Sequence, residues 1–115
     1  MDKVNLAEKF AKFHDYWAPK IVGEVNDQYV KIAKLKGTFT RHRHENEDEF
    51  FFVLKGCLVL ELPSQKVVIN EGEFFVVPRG EEHLPIAEEE TWVLKFEPKS
   101  KKSLGGIGKR EPERI

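Results

Sequence analysis

The sequence predicts an all-β protein with a short N-terminal helix, and the spacing of two kinds of residue supports this prediction. Short runs rich in Val, Ile, Phe and Thr recur from Ile21 onward, as is typical of strands. Residues that favour turns separate these runs. They are Gly37, Gly56, Pro63-Ser64, Asn70-Glu71-Gly72 and Pro78-Arg79-Gly80. Short strands at such intervals indicate an antiparallel sandwich or barrel.

The helix is expected close to the N-terminus. Asn5 can cap it, and Leu6, Phe10 and Phe13 recur on one face. The helix should end before Pro19, because the residue that precedes a proline disfavours the helical conformation. We predict eight strands, at Tyr29–Leu35, Thr38–His44, Glu49–Leu54, Leu58–Leu62, Lys66–Ile69, Phe74–Val77, His83–Ala87 and Thr91–Glu97.

The chain is expected to form one domain with an extension at each end. Its 115 residues, 40% hydrophobic and 34% charged, suit a single globular core. We predict an N-terminal helical segment over 1–20, a β-domain over 21–98 and a basic tail over 99–115. The tail carries six basic residues and two acidic ones, so it is expected to be extended or mobile, and it could dock on the acidic runs of a neighbouring subunit.

Composition also predicts where the protein works and which partners it lacks. The single cysteine, Cys57, can form no disulfide within the chain. The start of the chain lacks the apolar core of a signal peptide, and no apolar run approaches the length of a membrane span. The net charge of −1 argues against a nucleic-acid partner. We therefore expect a soluble cytoplasmic protein without nucleic-acid or membrane partners.

Four side chains form a candidate metal site. His42 and His44 would face the same side of an extended strand, with Cα atoms about 6.6 Å apart, and Arg43 between them would point away. Glu49 and His83 can complete the set. Three imidazole nitrogens and one carboxylate suit a divalent transition metal better than calcium or magnesium, and leave Mn, Fe, Ni and Zn all open.

Two alternatives to this ligand set remain at this point. The histidines could be exposed side chains beside an acidic loop, since Glu45 and Glu47 follow them closely. Asp48 could replace Glu49 as the carboxylate ligand. Alternation along the strand does not separate the two, because the residues that follow are apolar on both faces.

The same residues resemble the two sequence motifs of the cupin family. The first motif, G-x5-H-x-H-x(3,4)-E-x6-G, corresponds to Gly37, His42, His44, Glu49 and Gly56. The second, G-x5-P-x-G-x2-H-x3-N, corresponds to Gly72, Pro78, Gly80 and His83. The chain departs from these patterns twice, because only four residues separate Gly37 from His42 and because Ala87 stands in place of the final asparagine. In the first motif six residues separate the glutamate from the last glycine, and six residues separate Glu49 from Gly56. This interval favours Glu49 over Asp48 as the ligand.

The resemblance implies a double-stranded β-helix, or jelly roll, with a metal held inside one open end. Its ligands would be His42, His44, Glu49 and His83. The chain is most similar to small single-domain cupins that resemble phosphosugar isomerases, which implies a metal-dependent isomerase or epimerase acting on a chelating small molecule. No catalytic residue can be named from the sequence.

Other functions and an assembly state are also expected. The phenylalanine-rich interior would suit a metal-dependent dioxygenase, and a non-enzymatic cupin that binds a small molecule is a further alternative. Because an open jelly roll exposes sheet edges and a broad outer face, we expect a homodimer. The N-terminal helix or the strands over Ile21–Leu35 would contribute to its interface.

Overall fold

The structure, a computed structural model that describes residues 1–100 and 112–115, confirms the all-β prediction and the short N-terminal helix. Its elements follow in chain order: α1 Leu6–Phe10, β1 Lys20–Val25, β2 Gln28–Thr38, β3 Glu49–Lys55, β4 Cys57–Glu61, β5 Lys66–Asn70, β6 Phe74–Val77, β7 Leu84–Pro98 and β8 Glu113–Arg114. Strand β7 lies at the centre of the fold and pairs antiparallel with three others, β2, β3 and β4.

Two sheet arms extend from β7 and wrap into a jelly roll. One path runs β5-β4-β7-β2-β1-β8, while β3 pairs with β7 on one side and with β6 on the other. Among the described residues β5 and β6 are not hydrogen-bonded to each other, so the sheet stays open there. The fold is therefore a jelly roll whose barrel does not close.

The N-terminal segment packs against the outer face of this sheet. Asn5 caps α1 as predicted, with its side chain accepting a hydrogen bond from the backbone N–H of Glu8 at 3.0 Å. The helix is shorter than the pattern suggested, and Phe13 lies beyond its end. Phe10 nevertheless stacks on Trp92 of β7, with ring centroids 4.3 Å apart. Burial of these rings, rather than helix length, holds the segment in place.

The predicted strand Thr38–His44 is wrong as a regular element. Strand β2 ends at Thr38, and beyond it the chain keeps only an isolated bridge between His42 and His83. The pairing of β2 with β7 shifts register between Leu35 and Gly37, which disrupts the regular ladder just before this point. The segment that carries two predicted ligands is therefore extended only locally.

Three further elements differ from the prediction. The strands expected at His83–Ala87 and Thr91–Glu97 are one continuous strand, β7, because β2 pairs along both halves of it. Strand β1 has no counterpart among the eight strands predicted with bounds, although strands are expected from Ile21 onward. The two-residue strand β8 was also missed, because Glu113 and Arg114 carry no apolar pattern and pair in parallel with β1.

Strand β8 returns the end of the basic tail to the domain. Arg114 and Lys99 both form ion pairs with Glu24, at 2.7 and 2.6 Å. These cations therefore neutralise a carboxylate of their own chain. The rest of the expected extended or mobile tail, 101–111, lies outside the described residues. No helix in the described part of the chain is long and apolar enough to cross a bilayer.

The main core fills the space between the two arms and forms the floor of the site. Its buried members come from six strands, β2 to β7, and alternate residues of β7 contribute to it. They include Ala33, Phe51, Val53, Leu58, Leu60, Ile69, Val77 and Val93. The inner face changes from apolar to charged near the end of β7, where Lys95 and Glu97 are buried.

Gly56 provides a test of the turn between β3 and β4. Its φ is +92°, and a Cβ there would lie 2.7 Å from Thr91 Oγ1 and 2.9 Å from the Glu90 carbonyl oxygen. Gly72 has a similar φ of +83° but nothing within 4 Å of its Cβ position. We expect Gly56→Ala to lower the free energy of unfolding by about 3 kcal/mol, and Gly72→Ala by about 1 kcal/mol. Urea denaturation of both variants measures the difference, and equal losses would contradict the role assigned to the close contact.

Candidate metal centre

A backbone bridge brings His42 and His83, two of the candidate ligands, together. The N–H of His42 donates to the His83 carbonyl at 3.0 Å, and the N–H of His83 donates back to the His42 carbonyl at 2.9 Å. Their imidazole rings lie with centroids 4.4 Å apart. His44 shares this side of the chain, and its ring centroid is 5.0 Å from that of His42. Local extension is thus enough to keep the two residues of the His-x-His pair on one side.

Glu49 enters from the first position of β3. There it pairs with Val77 of β6, and the turn that follows β6 leads back to His83. This turn is fixed to the histidine segment, because the N–H of Gly80 donates to the His44 carbonyl at 2.7 Å. Asp48, the rival ligand, instead accepts a hydrogen bond from the N–H of Arg79 at 2.9 Å. The Glu49 carboxylate thus lies in the cluster, whereas the Asp48 carboxylate is hydrogen-bonded to the turn that contains Arg79.

The four candidate ligands converge on one point. One donor atom from each of His42, His44, Glu49 and His83 lies within 4.8 Å of the others. The Nε2 atoms of His83, His44 and His42 are 2.9, 3.0 and 3.9 Å from the same oxygen, Oε1 of Glu49. Two ligands at right angles, each about 2.1 Å from an ion, would be about 3.0 Å apart. The spacing of these atoms therefore matches that of ligands around a single ion.

The hydrogen bonds of two imidazoles determine which nitrogens face the cluster. Nδ1 of His42 lies 2.7 Å from the Thr40 carbonyl oxygen, and Nδ1 of His83 lies 3.0 Å from that of Glu81. Because a carbonyl only accepts, each Nδ1 carries the proton, and in the neutral ring Nε2 presents a lone pair. Backbone carbonyls that orient a ligating imidazole in this way are typical of metal sites.

The lone pairs of the cluster suit a shared cation. With Nε2 unprotonated, His83 Nε2 and Glu49 Oε1 would both be acceptors at 2.9 Å. His44 Nε2 is buried and makes no hydrogen bond, although it lies 3.0 Å from the same oxygen. Buried polar atoms in that state are rare and need an explanation. Burial also lowers the pKa of His42, although the Thr40 carbonyl partly opposes the shift, so its imidazole favours the neutral, ligating form. A metal ion shared by the four side chains fits all these observations.

The cluster opens to solvent on one side. The side chain of His83 is 1% exposed, that of Glu49 6%, that of His44 9% and that of His42 17%. Phe39 contacts the His42 ring edge-on at a centroid distance of 5.6 Å, and Phe51 lies 6.2 Å from the His83 ring. The candidate site is thus a partly covered depression with two aromatic rings beside the imidazoles.

A chain of buried charges lies behind Glu49. Lys95 donates to Oε2 of Glu49 and also contacts Glu97 at 3.3 Å, and Lys31 contacts the other oxygen of Glu97 at 2.7 Å. Burial alone would lower the pKa of Lys95, but the charges of Glu49 and Glu97 outweigh it and raise that pKa well above its usual value. Lys95 therefore remains a cation, and all four residues are buried.

The sequence held a signal for this network that the prediction did not use. Strand alternation places Lys95 and Glu97 on the same face as Val93, a core residue. The opposite face of the strand, with Trp92, Leu94 and Phe96, is apolar too. The pattern alone therefore does not show which face is buried, and the inward direction of the charges could not be predicted from it. Arg43, in contrast, points away from the cluster as predicted and pairs with Glu45, and Arg41 pairs with Glu61.

Comparisons with known proteins agree with this architecture. A profile described as the cupin domain matches residues 28–96, a range that contains all four candidate ligands. The Bacillus subtilis protein YdbB, itself uncharacterized, is 32% identical over 79 residues, which are 68% of this chain and 64% of YdbB. The chain thus spans less than two thirds of that relative.

Solved structures share the fold. A cupin-2 domain containing protein from Shewanella frigidimarina is 37% identical with a TM-score of 0.81, and the match covers 83% of this chain and 93% of that one. A hydroquinone 1,2-dioxygenase from Sphingomonas has a TM-score of 0.77 at 18% identity, over 86% of this chain and 32% of that one. The second likeness shows the fold alone.

The buried ion pairs predict a marked contrast in stability. Lys31→Met would remove one of the cations that contact the buried Glu97 carboxylate. This should lower the free energy of unfolding by about 3 kcal/mol or more. Arg43→Met removes an exposed pair with Glu45 and should cost less than about 1 kcal/mol. Urea denaturation compares the two, and similar small losses would show that the buried charges contribute little.

Proposed function

The chain belongs to the cupin family, and from that premise we propose that His42, His44, Glu49 and His83 bind one divalent transition metal ion. We further propose that the protein is a metal-dependent enzyme that acts on a chelating small molecule. The observation that supports this best is the convergence of three Nε2 atoms on one oxygen of Glu49, with His44 Nε2 buried and otherwise unpartnered.

The donor set favours a site with open positions. Structural zinc sites are closed by four ligands and are usually rich in cysteine, whereas this cluster contains three imidazoles and one carboxylate. An ion that prefers six ligands would keep about two positions for other molecules. Mn, Fe, Ni and Zn all suit nitrogen and oxygen donors, so the residues define a class of metal and not a single element.

The roles of the side chains follow from their contacts. When bound, a divalent metal supplies Lewis acidity that polarises a carbonyl or acidifies a coordinated hydroxyl group. The backbone carbonyls of Thr40 and Glu81 orient two of the imidazoles. Phe39 and Phe51 would exclude water from one side of a bound molecule. The position of the opening beside His42 indicates the direction from which that molecule would enter.

The isomerase or epimerase reaction implied by the sequence motifs needs a general base near the transferred proton. The buried carboxylates of Glu49 and Glu97 are both held in ion pairs with Lys95. We therefore assign the role of general base to neither of these two carboxylates. This requirement makes the isomerase reaction the more demanding of the two enzymatic proposals.

A metal-dependent dioxygenase is the second candidate, and the two phenylalanines favour it. Their rings flank the His42 and His83 imidazoles, which suits an aromatic or modestly apolar substrate. Oxygen uptake by metal-loaded protein with catechols or β-diketones tests this proposal, and aldose–ketose exchange followed by NMR tests the isomerase. No turnover in either assay, together with a co-purifying small molecule, would favour a binding protein without enzymatic activity.

Metal content tests the ligand set directly. We expect protein purified without a nickel column to hold about one equivalent of a transition metal per chain. Glu49→Gln should weaken metal binding at least about 10-fold, since it removes the only anionic ligand of the set. Asp48→Asn is the matched control and should retain metal, because its carboxylate contacts the Arg79 N–H instead. Elemental analysis of the three proteins measures this, and loss of metal from Asp48→Asn alone would reverse the assignment.

A further inference from the structure

The formal charges of the buried chain behind Glu49 add up to zero. The buried chain contains two carboxylates, Glu49 and Glu97, and two ammonium groups, Lys95 and Lys31, each in contact with its neighbour. The ligating imidazoles are neutral in the form that binds metal. Among these four described residues, the charges are therefore balanced before any metal ion binds.

A divalent ion would disturb this balance by two units. Glu49 would be its only anionic ligand, and the charge of Glu49 is already offset by Lys95 on the other carboxylate oxygen. A net charge in a partly buried site is costly unless a counter-ion accompanies it. Two carboxylates of the segment between His44 and Glu49 do little to compensate, because Glu45 pairs with Arg43 and Asp48 is exposed to solvent that screens it.

We propose that the molecule bound at the open positions of this site is an oxygen-chelating organic anion, and that Lys95 gives the site this preference. The inference rests on the proposed metal function and specifies the substrate class. Carboxylates, enolates and catecholates belong to that class, since each brings one or two negative oxygens to a metal. Neutral sugars lack that charge and would gain nothing from Lys95.

The contacts of Lys95 suit it to this role better than a purely structural one. Its ammonium lies over the face of Phe51, 4.5 Å from the ring centroid, on the inner side of the sheet and against the candidate ligand Glu49. Lys31 is the same residue type and is also buried, but it contacts Glu97 and lies one carboxylate farther from the cluster. The field of Lys95 therefore acts at the site itself.

Two small probes of different charge test the proposal. Azide is a monoanion and imidazole is neutral, and both take an open position on Co²⁺, whose visible absorption reports the change. With the Co²⁺-loaded full-length protein, the ratio of the two dissociation constants measures the preference for an anion. We expect azide to be preferred, and Lys95→Gln, which keeps a hydrogen-bond donor but loses the charge, to lower that preference about 10-fold or more. Lys95→Arg keeps the charge and should restore it.

Glu97→Gln provides the opposite change and a second route if Lys95→Gln does not fold. It removes a negative charge while preserving the shape of the side chain, so the preference for azide should rise. An unchanged ratio in either folded variant would overturn the inference and leave the proposed metal function intact. Failure of the wild-type protein to bind Co²⁺ would overturn both.

Discussion

The structure of this protein depends on one convergence, in which three imidazole nitrogens surround a single carboxylate oxygen. His42 and His83 reach it because their backbones pair across the mouth of the jelly roll. Glu49 reaches it as the first residue of β3, beside the strand that leads to the turn before His83. Without a shared cation this arrangement would place buried lone pairs against one another. The fold therefore brings together a group of side chains that could hold an ion.

The buried charges extend this constraint into the interior. Lysine and glutamate are rarely buried unless they are paired, and here Lys95, Glu97 and Lys31 occupy inward positions on β7 and β2. Replacement of such a network by apolar residues often costs little stability. A functional reason for keeping it is that Lys95 fixes Oε2 of Glu49 while Oε1 faces the imidazoles. The same lysine then sets the charge that an incoming molecule meets.

Much of this could be predicted from the sequence, and the exceptions have physical causes. The turn residues and motif intervals identified the jelly roll and the four side chains that meet. Glu49 was distinguished from Asp48 by an interval, since alternation alone was ambiguous. The strand expected at Thr38–His44 failed because the register shift before Gly37 depends on pairing with β7, which local patterns do not encode. Strand β8 and the inward charges depend on tertiary contacts in the same way.

The most direct test of the central claim is the position of anomalous scattering in a crystal of the protein, purified without chelator or nickel resin. Diffraction data collected on either side of the absorption edges of Mn, Fe, Ni and Zn would identify any bound ion. The account predicts one strong peak per chain, within about 2.0–2.3 Å of His42, His44, His83 and Glu49. Four side chains that meet around no peak, or a peak bound elsewhere, would contradict it.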